Sequence, residues 1–359
     1  MKSKYRKVFH QTVILLLWSA SILYRNEATE NQKHVFKRME GIPVLAYHQV
    51  ASDNWATFRN NPYILGVTQF KEQINWLKDR GYQTVSLHQF QKYISKKSKL
   101  KIKKPVLITF DDGTKGFYRF ARPILKEAGF KAVLFIYPGT TSKFRNFLTW
   151  KQLSVIDTDK HEIENHTFFH TKLSRYDVKR QRLTLHAAQK SIYNNLNRRT
   201  RWVAYPFGAF NDKSILALKQ SGHHGAFTVF PGDNLPGQNF NFLNRYLVLR
   251  QHSFFKFQTQ MRIKSLLIKK ANPRPGSKIT IMNTLSIQLE HKVLKESVRV
   301  EAGRRFTGKN RIHDFSYDEE NRTIFIRPRR RTKTFLVINI YARDRQNQDR
   351  QATILYLWR

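Results

Sequence analysis

The chain has 359 residues, 40% of them hydrophobic and 13% aromatic, which is enough apolar material to build a core and excludes disorder by composition. The 65 Lys and Arg against 25 Asp and Glu give a formal net charge of +40, which suits an anionic cell surface, membrane or wall polymer. The basic residues are spread along the chain and no nucleic-acid-binding motif is present, so nucleic acid is not an expected partner; the absence of cysteine leaves His, Asp and Glu as the ligands for any metal.

Lys2, Lys4, Arg6 and Lys7 precede an uncharged run over residues 12–24, the layout of a charged and then an apolar export region. Residues 1–24 are therefore expected to be a signal peptide or N-terminal membrane anchor, and 25–40 a polar linker, which implies a secreted or cell-surface protein. From residue 43 to about 257, short apolar runs alternate with amphipathic segments. Strands are expected at 44–47, 84–87, 106–110, 132–137, 162–165, 203–205, 226–229 and 246–249. Helices are expected at 68–80, with Phe70, Ile74 and Leu77 on one face, and at 88–94, 116–128 (kinked at Pro123), 177–197 and 212–221. This alternation predicts a parallel sheet closed towards a barrel, with its site at the C-terminal strand ends.

After residue 257 the pattern predicts a helical stretch to about 269 and a linker at 272–276. Short β runs follow at 278–282, 285–289, 297–301, 323–327, 334–341 and 352–357. The expected domains are thus a barrel over 41–270 and a small all-β, sandwich-like domain over 277–359.

The chemistry concentrates at predicted strand ends. Thr109-Phe110-Asp111-Asp112-Gly113 ends the third strand, and His166-Thr167-Phe168-Phe169-His170 places two imidazoles at i, i+4. Neighbouring side chains on a flat strand point to opposite faces, but at a strand-to-loop corner both carboxylates can reach one cavity. Asp112, His166 and His170 then form a two-His, one-carboxylate set for Zn²⁺ or another divalent first-row metal. Asp111 is the candidate general base towards a water acidified by that ion. The Tyr205-Pro206-Phe207-Gly208 turn offers the Phe207 backbone N–H as an oxyanion donor. A departing amine needs a general acid; His48 after the first strand and His252 after the last are rivals.

These motifs resemble those of the NodB-homology polysaccharide deacetylases, carbohydrate esterase family 4, over residues 43–250. The resemblance implies a deformed (β/α) barrel, a Zn²⁺-type metal and removal of acetyl groups from N-acetylglucosamine polymers. It implies Asp111 as base and Asp112, His166 and His170 as ligands. Pro43-Val44-Leu45-Ala46-Tyr47-His48, ahead of the Asp motif, is similar to the branch acting on the biofilm polymer poly-β-1,6-N-acetyl-D-glucosamine. In that branch the barrel is circularly permuted and the early-strand His is the general acid, which favours His48 over His252. Many members carry an Arg where this chain has Ala204; that Arg orients the base, so Asp111 is expected to be tuned differently. The family's fourth motif is not visible over 227–234, and the resemblance leaves the β domain unexplained. Arg327, Arg329, Arg330, Arg331 and Lys333 form a candidate electropositive patch on it. The other readings are a deacetylase of peptidoglycan or chitin oligosaccharides and, from a different class, a non-catalytic cationic protein that binds a surface polymer.

Overall fold

The computed structural model describes residues 41–97, 100–302, 314–328 and 335–358. The expected export segment and linker over 1–40, and Arg329, Arg330, Arg331 and Lys333 of the basic patch, lie outside the described residues.

Strands β1 (Val44–Tyr47), β2 (Gln49–Ala51), β3 (Ile64–Gly66), β4 (Gln83–Thr84), β5 (Pro105–Asp112), β6 (Val133–Ile136), β7 (Glu162–Asn165), β8 (Trp202–Ala204), β9 (Gly225–Phe227) and β10 (Tyr246–Leu247) form the first region. One curled parallel sheet runs in the order β10-β1-β5-β6-β7-β8-β9, β4 pairs with the start of β5, and β2 pairs with β3 apart from it. The two edges are stitched by one segment. Leu243 bridges Phe227, and Tyr246 and Leu247 pair with Leu45 and Ala46. The result is the deformed barrel.

Strand alternation sorts the side chains. Leu45, Ile108, Phe110, Leu134 and Ile136 face outward, under Phe70, Ile74 and Leu77 of helix Val67–Asp79 and Leu153 and Ile156 of helix Trp150–Thr158. Val44, Leu107, Val133, Phe135 and Phe227 point inward, where Leu87 and Phe90 of helix Leu87–Ile94 join them. Apolar residues on both faces explain why these strands read as continuous hydrophobic runs. Along β5, Leu107, Thr109 and Asp111 share the inward face, so Asp111 emerges at the strand's C-terminal end inside the barrel.

Several boundaries differ from expectation. Helix Trp150–Thr158 was not anticipated, although Thr149 and Gln152 form a capping box at its start. The segment near Pro123 is a π turn, Phe117–Ala121, that leads into helix Arg122–Ala128. The helical stretch expected to reach 269 stops with helix Phe254–Arg262. Strands β11 (Lys264–Ser265) and β12 (Ile268–Asn272) follow it, so β structure begins ahead of the expected 270–277 boundary. A bulge between Ile268 and Lys270 shifts the register and breaks the two-residue period there. The 272–276 segment lies inside the β region, with Gly276 N–H donating to the Leu355 carbonyl (2.7 Å).

The remaining strands are β13 (Lys278–Ile279), β14 (Leu285–Leu289), β15 (Arg299–Ala302), β16 (Phe315–Asp318), β17 (Thr323–Ile326), β18 (Phe335–Arg343) and β19 (Asp349–Trp358). They make two sheets, β11-β19-β18-β15 with β13 also on β19, and β12-β14-β17-β16. Leu285, Ile287, Ile324, Ile326, Leu336, Ile338 and Ile354 fill the space between the sheets. The other face of the β18–β19 hairpin carries Phe335, Val337, Leu355 and Leu357, which share a core with Val203, Tyr205, Phe210, Phe230 and Phe242 of the barrel. A sandwich strand normally wets one face; this hairpin is covered on both, and residues 41–359 form one compact unit. Among the described residues, no helix is long and apolar enough to cross a membrane.

Phe335 stacks on Phe210 (centroids 4.9 Å apart) and meets Phe230 edge-on (5.3 Å). Phe335→Ala is expected to cost about 3–5 kcal/mol. Circular dichroism and tryptophan fluorescence, the latter dominated by Trp55, Trp76, Trp150 and Trp202 of the barrel region, should show one shared transition at a lower temperature. A β region that melts alone would show that the two cores are separable.

Candidate functional site

Two successive left-handed residues make the corner at the end of β5. Asp112 has φ +75° and Gly113 φ +72°. The first turns the Asp112 carboxylate back towards the cavity that Asp111 already faces, which a continuing strand would forbid. The second needs glycine, because a Cβ at 113 would stand 2.9 Å from Ile136 Cγ2 in addition to the unfavourable φ.

Asp111 is buried, and its carboxylate is gripped by a residue the sequence reading did not single out. Arg245 donates from Nη1 to Oδ1 (2.7 Å) and from Nη2 to Oδ2 (2.8 Å). Its Nε donates to the Thr228 carbonyl (2.8 Å), and Nη1 also reaches Thr109 Oγ1 (3.2 Å). Arg245 is itself fully buried and lies on the segment that stitches the barrel edges, beside Tyr246 of β10. The expectation drawn from Ala204 therefore needs correction: the guanidinium is present but arrives from a different segment. Its signal in the sequence was a lone Arg beside a predicted buried strand, which is unusual unless paired. Burial pushes Asp111 up, but the Arg245 charge and its hydrogen bonds outweigh this and hold the carboxyl well below the usual range. Asp112 has no such partner; burial and then the Asp111 charge push it to about 7.

His166 and His170 sit on an irregular turn after β7, not on a helix. Asn165 Oδ1 accepts from Thr167 N–H (2.8 Å) and Thr167 Oγ1 from Thr171 N–H (2.7 Å), while Thr167 and His170 take φ of +62° and +52°. His223 contacts Asn165 Nδ2 through Nε2 (3.2 Å), so this buried imidazole supports the turn. His166 Nδ1 lies 2.7 Å from the Ala204 carbonyl, which can only accept; Nδ1 carries the hydrogen and Nε2 keeps its lone pair. Burial lowers His166 to about 3 and also lowers His170, so both imidazoles are neutral at pH 7.

Nε2 of His166 and of His170 lie 3.6 and 3.5 Å from Asp112 Oδ1. That oxygen is buried and has no hydrogen-bond partner. Ligand atoms from the three residues lie within 4.8 Å of one another. Two neutral imidazole nitrogens and an orphaned carboxylate oxygen converging on one point fit a divalent ion.

His48 follows β1 and is mostly buried, with Nε2 4.0 Å from Asp111 Oδ2. Its ring lies 4.6 Å from Tyr63, and burial lowers it to about 4 although the Asp111 charge pulls the other way. His252 is also lowered to about 4 by burial, but its charged neighbour is Lys256 and not Asp111. The structure thus brings His48, and not His252, to the carboxylate. Phe207 takes φ +61° in the Pro206–Gly208 turn, and its ring lies 4.4 Å from that of His170.

Asp112→Asn and His166→Ala should each weaken Zn²⁺ binding to the purified protein by at least ~100-fold, measured by calorimetry. Undiminished affinity in either would place the ion elsewhere.

A family model described as polysaccharide deacetylase matches residues 98–226. The poly-β-1,6-N-acetyl-D-glucosamine N-deacetylase of Staphylococcus aureus is 28% identical over 275 residues, spanning 68% of this chain and 93% of that relative. The solved Streptococcus pyogenes deacetylase PplD, in complex with acetate, aligns at a TM-score of 0.58 with 27% identity, over 62% of this chain and 99% of its own. IcaB from Ammonifex degensii shares the fold, with a TM-score of 0.52 and 24% identity over 61% of this chain and 94% of its own. With the curled parallel sheet and its Asp-Asp and His-His strand ends, these likenesses show that the chain carries a polysaccharide deacetylase domain of the NodB type, carbohydrate esterase family 4, and support hydrolase activity.

Proposed function

We propose that this polysaccharide deacetylase is an exported, Zn²⁺-dependent enzyme that removes acetyl groups from N-acetylglucosamine residues of a β-1,6-linked biofilm exopolysaccharide, at or near an anionic cell surface. The observation that carries the reaction is the buried Asp111–Arg245 pair beside the Asp112, His166 and His170 cluster. The relative from Staphylococcus aureus supports the choice of polymer. The charged and apolar runs before residue 25 support export.

A divalent ion held by Asp112, His166 and His170 would polarise the acetyl carbonyl and acidify the attacking water. Asp111, kept anionic by Arg245, takes the water's proton. The Phe207 backbone N–H, on the turn that packs against His170, donates to the developing oxyanion. His48 delivers a proton to the departing amine. Because burial keeps its imidazole neutral before reaction, that proton is the one Asp111 took from the water, passed on once the 4.0 Å between Oδ2 and Nε2 tightens to hydrogen-bond range. A purely binding role has no use for a base held anionic by a buried arginine next to a metal-ligand cluster.

The deciding assay follows amine release from poly-β-1,6-N-acetylglucosamine oligomers by residues 41–359, with chelator and after Zn²⁺ is restored. Release that chelator stops and zinc restores supports the reading. Release only from peptidoglycan or chitin oligomers keeps the reaction and changes the polymer, and release from none overturns the reading. Asp111→Asn should abolish turnover while zinc still binds. His48→Ala should slow it by ~10²–10⁴; the same loss in His252→Ala would reverse the assignment of the acid.

Arg245→Lys keeps a positive charge but loses the two-pronged grip, so the Asp111 pKa rises. Since the anion is the active form, activity is then lost at a higher pH on acidification. The acid limb of the kcat/KM profile should move upward; an unmoved limb would detach Arg245 from the base.

A further inference from the structure

Beyond His170 the site opens into a cleft of about 830 Å³. This lies within the ~300–1,000 Å³ usual for ligand sites. Phe169 and Phe207, 69% and 64% exposed, present aromatic faces at its His170 end. Lys172, Arg175 and Arg180 line the same cleft. The Lys172 ammonium lies 5.7 Å from the Phe207 ring centre, and the Arg180 guanidinium lies 4.4 Å over Tyr176. No acidic residue lines the cleft, and none of these cations forms an ion pair with a carboxylate among the described residues. Asp177, nearby in sequence, accepts from the Arg180 backbone N–H (2.8 Å) as a helix cap.

We propose that this cleft is a glycan subsite for an anionic substituent, a carboxylate or phosphodiester, carried by the polymer next to the acetamido sugar that reacts. The inference rests on the deacetylase reaction, not on the β-1,6 linkage, and adds to it that the polymer carries acidic groups beside its acetamido sugars. Exposed rings beside a reaction centre give a pyranose an apolar face to lie on. A neutral N-acetylglucosamine polymer offers these cations only hydroxyl and amide oxygens, whereas an anionic substituent offers charge-assisted hydrogen bonds, and the deacetylated, amine-bearing product is repelled by them. Arginine recognises carboxylate and phosphate oxygens in pairs, so Arg175 and Arg180 suit an anion fixed on the sugar chain.

The test is calorimetric binding of three N-acetylglucosamine-containing oligomers of equal length to the full chain: a neutral one, one with lactyl carboxylates on alternate sugars and one with phosphodiesters. At least one anionic oligomer should bind about tenfold more tightly than the neutral one at low salt. Which one does so identifies the source of the charge. The advantage should shrink at high salt and vanish in the Arg175→Gln, Arg180→Gln double variant. Equal binding of all three overturns the proposal. So does an anionic preference that survives in the double variant, because the general +40 charge would then explain it. Preference without amine release from any oligomer keeps the subsite and rejects the deacetylase reading.

Discussion

The site depends on the ion pair between Asp111 and Arg245, both buried and joined by two short hydrogen bonds. Two adjacent carboxylates at the dry end of a barrel are electrostatically unstable. One must be neutralised, and the Asp112 carboxyl, pushed to about 7, is the one that yields. Arg245 decides this asymmetry: it commits Asp111 to the anionic state and leaves Asp112 needing a proton or a metal ion. A buried pair of this kind contributes little net stability, yet removing one partner strands a charge at a cost of about 3–5 kcal/mol.

Backbone strain is concentrated around the same point. Asp112, Thr167, His170 and Phe207 all take positive φ, each at a cost of roughly 1–3 kcal/mol. The surroundings hold them there: the β5–β6 ladder beside Asp112, the Asn165 and Thr167 hydrogen bonds around the histidine turn, and the packing of Phe207 on His170. The second core, shared with the β18–β19 hairpin, buttresses Tyr205 next to that turn. The β region therefore supports the wall on which part of the site stands, whatever else it binds.

Much of this was legible in the sequence because the signals were local. The Asp-Asp and His-His motifs fall at strand ends that hydrophobic runs mark, and the helix over Val67–Asp79 repeats its apolar face cleanly. Arg245 was not legible, since its meaning depends on Asp111 at a separation of 134 positions. Nor was the double coverage of β18, where Phe335 and Leu336 serve different cores. A run of apolar residues says that a strand is buried, not against what. The start of the β region was hidden because β11 is only two residues long and follows helix Phe254–Arg262 after a single residue.

Arg245 lies on the segment that shuts the barrel, between Leu243 on one edge and Tyr246 on the other. Joining the edges and arming the base are thus one event. A nascent chain that has emerged only as far as the histidine turn already possesses the Asp-Asp and His-His motifs, but its Asp111 still lacks its cation. The motifs alone are therefore not a catalyst: a chain whose barrel edges are parted has the ligand set but lacks the cation that keeps its base anionic.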